Sequence, residues 1–415
     1  MMRRDGGFMF TSIFMTRGEK FFLNVSNANS YTMKGGARMP SFFGRRANLS
    51  TIAVALFVMG VSLQPAKAVT YTGSILYPIT NAGTAVTIAN GQAVGYGGSS
   101  RIGGYALIWS ASDGSTTDVN PAGFTASYLK ATDGVQQVGY ALGSSDYYQA
   151  MLWSGTAASA VNLNPAGFLG SIAYGIDGNQ QVGGGTMGGS GSNALLWSGT
   201  AASAVDLNPA GFTNSTAVGI SGNQQVGYGY SSSMQNKDHA LLWSGTAASV
   251  VDLNPTGFTT SQAFGTAGNQ QVGVGQDDST GEYHALLWTG TAASVIDLNP
   301  TNLGFKSSAA EATNGAEQVG SGSFSSAGNY ENALLWTGTA ASAVNLQLLL
   351  PSPTQWQDSY ADSIDANGNI FGLAFGTYEG YYAVEWSPVP EPGSFAILAV
   401  GTFGLLCRRR GSGRF

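Results

Sequence analysis

One phrase recurs along this chain. Its clearest copy is HALLWSGTAASVVDLNP, residues 239–255. Aligning on the tryptophan gives seven registers: YALIW (Trp109), QAMLW (Trp153), NALLW (Trp197), HALLW (Trp243 and Trp288), NALLW (Trp336) and YAVEW (Trp386). The steps between them are 44, 44, 46, 45, 48 and 50 residues. A unit of this length cannot bury its own apolar face, so neighbouring units must stack, and 40–50 residues is about the size of a four-stranded propeller blade.

Each unit contains four strand patterns. Around Trp243 they are Ser215–Ile220, Gln224–Tyr230, His239–Trp243 and Val250–Leu253, separated by Gly, Asn and Pro. Apolar and polar residues alternate within them, as in half-buried strands. Asn254-Pro255 ends the fourth, because proline has no N–H for the ladder. Glycines recur at the first hairpin turn of each unit: Gly91, Gly134, Gly178, Gly222, Gly268, Gly315 and Gly368. A second set falls inside the following strand, as in VGYG (226–229). Repeated glycine within strands predicts close approach of neighbouring backbones.

The ends of the array predict closure. No fourth strand follows Trp386, yet an extra strand pattern, YTGSILYP (71–78), precedes the first unit. A ring results if that strand completes the last blade, and a ring removes the exposed sheet edges that invite aggregation. The expected fold is therefore all-β: a seven-bladed β-propeller of four-stranded blades over 69–387, closed by the N-terminal strand.

Charge narrows the function. Between Val69 and Pro390 there are 4 basic and 20 acidic residues, a net charge of −16. Such a body lacks the clustered Lys and Arg that phosphate backbones require, so no nucleic-acid partner is expected. The single cysteine, Cys407, lies outside the body and rules out an internal disulfide or a thiolate metal cluster.

The flanks read as targeting. Residues 1–38 carry no periodicity, Met33 and Met39 offer alternative starts, and the stretch is expected to be unstructured or to precede the true start. Residues 39–68 read as a signal peptide: Arg45 and Arg46, the apolar run Leu49–Leu63, and an A-x-A cleavage site at Ala66 and Ala68. At the other end, Pro388-Val389-Pro390-Glu391-Pro392-Gly393 precedes an apolar run, 395–407, and then Arg408, Arg409 and Arg410. That run is short for a membrane span of roughly 20 residues, but flanking arginines can snorkel, so a short C-terminal transmembrane helix is expected.

The tail, 388–415, resembles the PEP-CTERM sorting signal in all three of its parts. The resemblance implies export, an inner-membrane anchor, and recognition by an exosortase at Val389, Pro390, Glu391 and Pro392. It further implies release to the cell surface or extracellular matrix, in proteins that accompany exopolysaccharide or biofilm. The body is similar to the extracellular HAF repeats, with Leu in place of Phe, and that resemblance implies no catalytic residues.

Residues that invite chemistry have ordinary roles available. His239 and His284 open the third strand, where other units have Tyr, Gln or Asn. The seven tryptophans could offer faces to sugars, but each lies within an apolar strand, so buried packing between blades is expected instead. Asp206, Asp252 and Asp297 recur in the fourth strand, and Asp365-Ala-Asn367-Gly368-Asn369 fits a hairpin turn better than a calcium loop. Binding residues are expected in the irregular loops, with Asp277, Asp278, Glu282 and Trp356 as candidates. No nucleophile elbow, zinc-protease motif, phosphate loop or acid pair fixed by spacing occurs. The sequence thus predicts no metal and no cofactor, with Ca²⁺ the one ion worth testing. It points to a non-catalytic binding or structural module for extracellular polysaccharide. A calcium-dependent or lectin-like adhesin, and a polysaccharide hydrolase or lyase, are the alternatives.

Overall fold

A computed structural model describes residues 70–389, apart from 80–82, 98–103, 111–113, 145, 189–190, 326–329 and 377–379. The described residues form seven four-stranded antiparallel sheets, six of them ordered from inner to outer strand along the chain. Blade 4 is typical, with strands Asn214–Ser221, Gln224–Tyr230, His239–Trp243 and Val251–Asp252. The outer strand is shorter than its sequence pattern. Leu253 still bonds to the third strand, its N–H donating to the Ala240 carbonyl at 2.8 Å, and its side chain is buried. The SGTAAS connection is a single 3-10 turn, Ala247–Ser249.

Closure follows the expected route. Strand Tyr71–Pro78 pairs antiparallel with Gly380–Pro388, so the N-terminal strand is the outer strand of blade 7. Tyr77 locks this seam to blade 1. Its hydroxyl donates to the Gly91 carbonyl at 2.9 Å and accepts from the Ala93 N–H at 3.1 Å. Ser363 Oγ of blade 7 also donates to the Ile88 carbonyl of blade 1 at 2.6 Å.

The core lies between blades. All seven repeat tryptophans are fully buried. Trp197 of blade 3, for example, packs with Leu152 and Leu163 of blade 2. Such a side chain removes roughly 200 Å² from water, so each interface has a substantial apolar driving force. Its aromatic face is spent on packing and offers no platform to a ligand.

Among the described residues a polar staple crosses six of the interfaces, all but that between blades 7 and 1. Ser171 Oγ of blade 3 accepts from the Ala150 N–H of blade 2 at 3.1 Å and donates to Asn164 Oδ1 at 2.7 Å. Ser215, Ser261 and Ser308 repeat both bonds with the Asn of the preceding blade. The asparagine of each Asn-Pro link therefore does more than end a strand: it joins two blades. A buried hydroxyl with both roles filled avoids the cost of an unpaired polar group.

Every inner strand carries a β-bulge at one shared position, where a single residue drops out of the pairing register; the inner strands of blades 5 and 7 carry a second shift near their start. The seven at the shared position are Val86, Lys130, Tyr174, Val218, Phe264, Glu311 and Asp362. The bulge explains the in-strand glycines. A Cβ on Gly183, Gly227 or Gly372 would stand 1.9 Å from the carbonyl oxygen of the inner strand in its own blade. The close approach is thus between two strands of one blade. A second approach does cross blades: a Cβ on Gly219 would meet the Phe264 carbonyl oxygen at 2.2 Å.

Candidate functional site

The antiparallel order puts the glycine hairpin turns and the 3-10 turns at one end of the propeller. The Asn-Pro links and the variable loops between second and third strands lie at the other. The turn end is nearly identical across blades 2 to 6, so differences among them that could select a ligand concentrate at the loop end.

There, tyrosines of blades 1 and 2 form a continuous array. Tyr128 and Tyr140 stack with centroids 4.9 Å apart, and Tyr96 and Tyr148 meet them edge-on at 4.9 and 4.7 Å. Burial, then the surrounding tyrosines, pushes the Tyr140 phenol up to about 12, so it stays neutral. Lys130 Nζ lies 5.8 Å from the Tyr140 ring centre, and burial lowers its pKa. Beside the array is a cleft of about 290 Å³, lined by Asp146, Tyr147, Tyr148, Tyr174, Ser192 and Thr216. Tyr147 and Tyr148 are exposed by 44% and 42%, so rigidly backed aromatic surface faces the solvent. A larger cavity, about 560 Å³, lies between blades 4 and 5, with Tyr230, Lys237, Asp238, Gln262 and Tyr283 in its walls.

The loop residues singled out in the sequence do not gather in either cleft. Asp277 closes its own turn: Oδ1 accepts from the backbone and hydroxyl groups of Ser279 and Thr280. Those bonds, the hydroxyl of Ser279 first, hold its carboxyl down at about 2. Asp278 accepts a short hydrogen bond from Thr259 Oγ1, and Glu282 closes the same turn, its carbonyl accepting from the Asp277 N–H at 2.9 Å. Trp356 begins the inner strand of blade 7 and is buried in the core, its Nε1 donating to the Pro351 carbonyl at 2.9 Å. Among the described residues no group of three or more His, Cys, Asp or Glu is placed to hold a metal ion. Val389 donates its N–H to the Thr70 carbonyl at 2.7 Å, so the tail leaves the body beside the closure seam. Ala66, Ala68, Pro390, Glu391, Pro392, Arg408, Arg409, Arg410 and the helix expected at 395–407 lie outside the described residues.

Each histidine pairs with the aspartate of its own outer strand. His239 Nδ1 lies 2.8 Å from Asp252 Oδ2, and His284 Nδ1 lies 2.8 Å from Asp297 Oδ2. In blade 3, Asn193 donates to Asp206 at the same place. The other oxygen of each aspartate caps the Asn-Pro link, as Asp252 Oδ1 does for the Asn254 N–H at 2.8 Å. Burial opposes protonation of His284, but the bond to Asp297 and the charges of Asp297, Asp277 and Glu282 outweigh it and raise its pKa. The protonated form is thus favoured in the fold. Its contribution is complete below the ordinary value of 6.5 and is lost as pH rises through the raised folded value. His284→Asn keeps the hydrogen bond without the charge. Its stability relative to the parent should improve by up to about 1 kcal/mol as pH rises through that window, measured by urea unfolding at several pH values. A constant difference across pH would show that His284 carries no charge effect.

A feature that sequence reasoning missed lies on the axis. Glu311 and Asp362 occupy the bulges of adjacent blades 6 and 7. Burial, then the charge of Glu331, raises Glu311 to about 7. Burial, then the charge of Glu311, raises Asp362 to about 8. Asp362 Oδ2 is fully enclosed and has no hydrogen-bond partner. The signal was available only after alignment: these two units alone place an acid at the bulge position.

Comparison with known proteins bears on both tail and body. Residues 388–410 match the model of the PEP-CTERM protein-sorting motif. No curated protein matches the sequence. The fold is similar to a crystal structure of puromycin hydrolase, with a TM-score of 0.50 and 12% identity over 74% of this chain and 52% of that one. It is also similar to an oligogalacturonate lyase in complex with manganese, with a TM-score of 0.47 and 10% identity over 77% and 91% of the two chains. The chain spans about half the length of the puromycin hydrolase it matches. The motif marks an exported protein, anchored in the membrane and then processed by an exosortase. The expectation of a body without catalysis needs correction. The puromycin hydrolase contains the same fold, so a propeller lacking familiar motifs is not thereby inert.

Proposed function

We propose that this exported propeller binds extracellular polysaccharide through the tyrosine-lined cleft at its loop end. The carrying observation is the array Tyr96, Tyr128, Tyr140 and Tyr148, which backs exposed aromatic faces against a cleft with Asp146, Ser192 and Thr216 in its walls. Sugar rings offer C–H faces to aromatic planes and hydroxyls to carboxylate and hydroxyl groups, so this combination suits them. Tyrosine also brings large contact area with few rotatable bonds, which limits the entropy lost on binding. The volume of about 290 Å³ lies at the lower edge of ligand pockets and fits a sugar unit of a longer chain. The sorting motif supplies the setting: the protein crosses the membrane, meets an exosortase, and reaches the cell surface or matrix. The sequence resemblance to extracellular HAF repeats agrees with that destination.

The test is retention of the full chain on polysaccharide from the producing organism. Tyr148→Ala should weaken retention at least about tenfold, a loss of roughly 1.4 kcal/mol, while Tyr148→Phe keeps it within about twofold. Equal retention of all three proteins would overturn the assignment of the cleft. Analysis of the eluate for shortened chains tells binding alone from binding with turnover.

A further inference from the structure

The bulge ring gathers an unbalanced set of side chains. Glu311 and Asp362 stand side by side on blades 6 and 7, and Phe264 precedes them on blade 5. Asp362 Oδ2 is enclosed yet accepts no hydrogen bond. Among the described residues, no ion pair reaches either acid. The ring does contain a cation, Lys130, but it lies two blades from Asp362 with its amine against the Tyr140 ring. The other groups facing the pair are also acidic or phenolic. Glu331 accepts from Ser321 Oγ at 2.6 Å, Asp358 accepts from the Glu331 N–H at 2.9 Å, and Tyr360 senses the charges of Glu331, Asp358 and Asp362. A buried carboxylate without a partner is costly, and two together are more so.

We infer that the propeller axis is a binding site for an organic ammonium group, held between Glu311 and Asp362. A primary ammonium carries three donors and one positive charge, which match a pair of carboxylates with an unused oxygen. Phe264, next on the ring, adds an aromatic neighbour of the kind that favours organic cations. A hard divalent ion fits less well. Calcium takes about six to eight oxygens, and no third carboxylate is set to coordinate with these two. A bound ammonium would also draw both carboxyls down from their raised values near neutrality. An amino sugar in a matrix polymer and a free polyamine would each bring the same group.

The experiment is calorimetric titration of the full chain at pH 7 with spermidine, with glucosamine oligomers, and with CaCl₂. At least one amine should bind. Asp362→Asn and Glu311→Gln should each weaken that binding at least tenfold, while both variants unfold at a temperature no lower than the parent. Which amine binds identifies the source. Tyr148→Ala should bind the amine like the parent, so loss of the polysaccharide cleft and loss of the axial site are separable. The inference is overturned if no amine binds, if only Ca²⁺ binds, or if the two variants bind the amine as tightly as the parent.

Discussion

Gly227→Ala is expected to destabilise the protein by about 3 kcal/mol or more in urea unfolding, whereas Gly222→Ala, five residues earlier, should cost only about 1 kcal/mol. The two positions separate two reasons for glycine. Gly222 sits in the hairpin turn at φ 54°, with open space where a Cβ would go. Alanine there meets only the modest penalty of a left-handed backbone. Gly227 has room for no Cβ at all, because the Thr216 carbonyl oxygen would be 1.9 Å away and Ala217 Cα 2.9 Å away. Both neighbours are backbone, so relief requires moving the inner strand. That strand holds the bulge at Val218, whose carbonyl in turn abuts Gly175 of blade 3. The disturbance would therefore spread to a neighbouring blade. Equal costs at the two sites would refute the bulge geometry.

Tyr77→Ala is expected to cost about 3–5 kcal/mol and to produce dimers that grow with protein concentration, as seen by light scattering. Tyr77 is only 4% exposed and packs with Ile88, Ala93 and Trp109 of blade 1. Its hydroxyl serves both the Gly91 carbonyl and the Ala93 N–H. Truncation leaves a cavity and a buried unpaired N–H at the one seam where the outer strand comes from the far end of the chain. The other blades are held by short local connections, so this seam should open first. A released strand 71–78 can complete blade 7 of a second copy. Tyr77→Phe keeps the packing and loses the hydroxyl, so it should cost about 1–3 kcal/mol and leave the protein monomeric. A Tyr77→Ala protein as stable as the parent would mean that the seam does not depend on this residue.

What could be read from the sequence was what repeats. The period, the glycine turns and the misplaced strand 71–78 gave blade number and closure, because each copy of a unit reports the same local rule. The bulges could not be read, since a bulge is a mismatch between two strands and shows only in their pairing. The role of Asn164 and its equivalents was half visible: the proline after each marks a strand stop, while the partner serine lies in the next blade. The seven tryptophans, each inside an apolar strand pattern, pack between blades as that setting implies. The tyrosine array departs from the repeat. The second-strand position that holds Tyr96 and Tyr140 is Gly184 in blade 3 and Val274 in blade 5. Trp356 looked like a loop residue because the turn before it is irregular, but it starts a strand and is buried. Glu311 and Asp362 are 51 residues apart in the sequence, and only ring geometry makes them neighbours.

The measurement that bears most directly on the proposed binding end is hydrogen–deuterium exchange of the full chain with and without polysaccharide from the producing organism. Added polymer should slow exchange in the segments that line the cleft, residues 146–148, 170–174 and 184–186. The glycine hairpin turns at the opposite end should be unchanged. Protection confined to those turns, or to the 277–282 loop of blade 5, would contradict a cleft at Tyr147 and Tyr148.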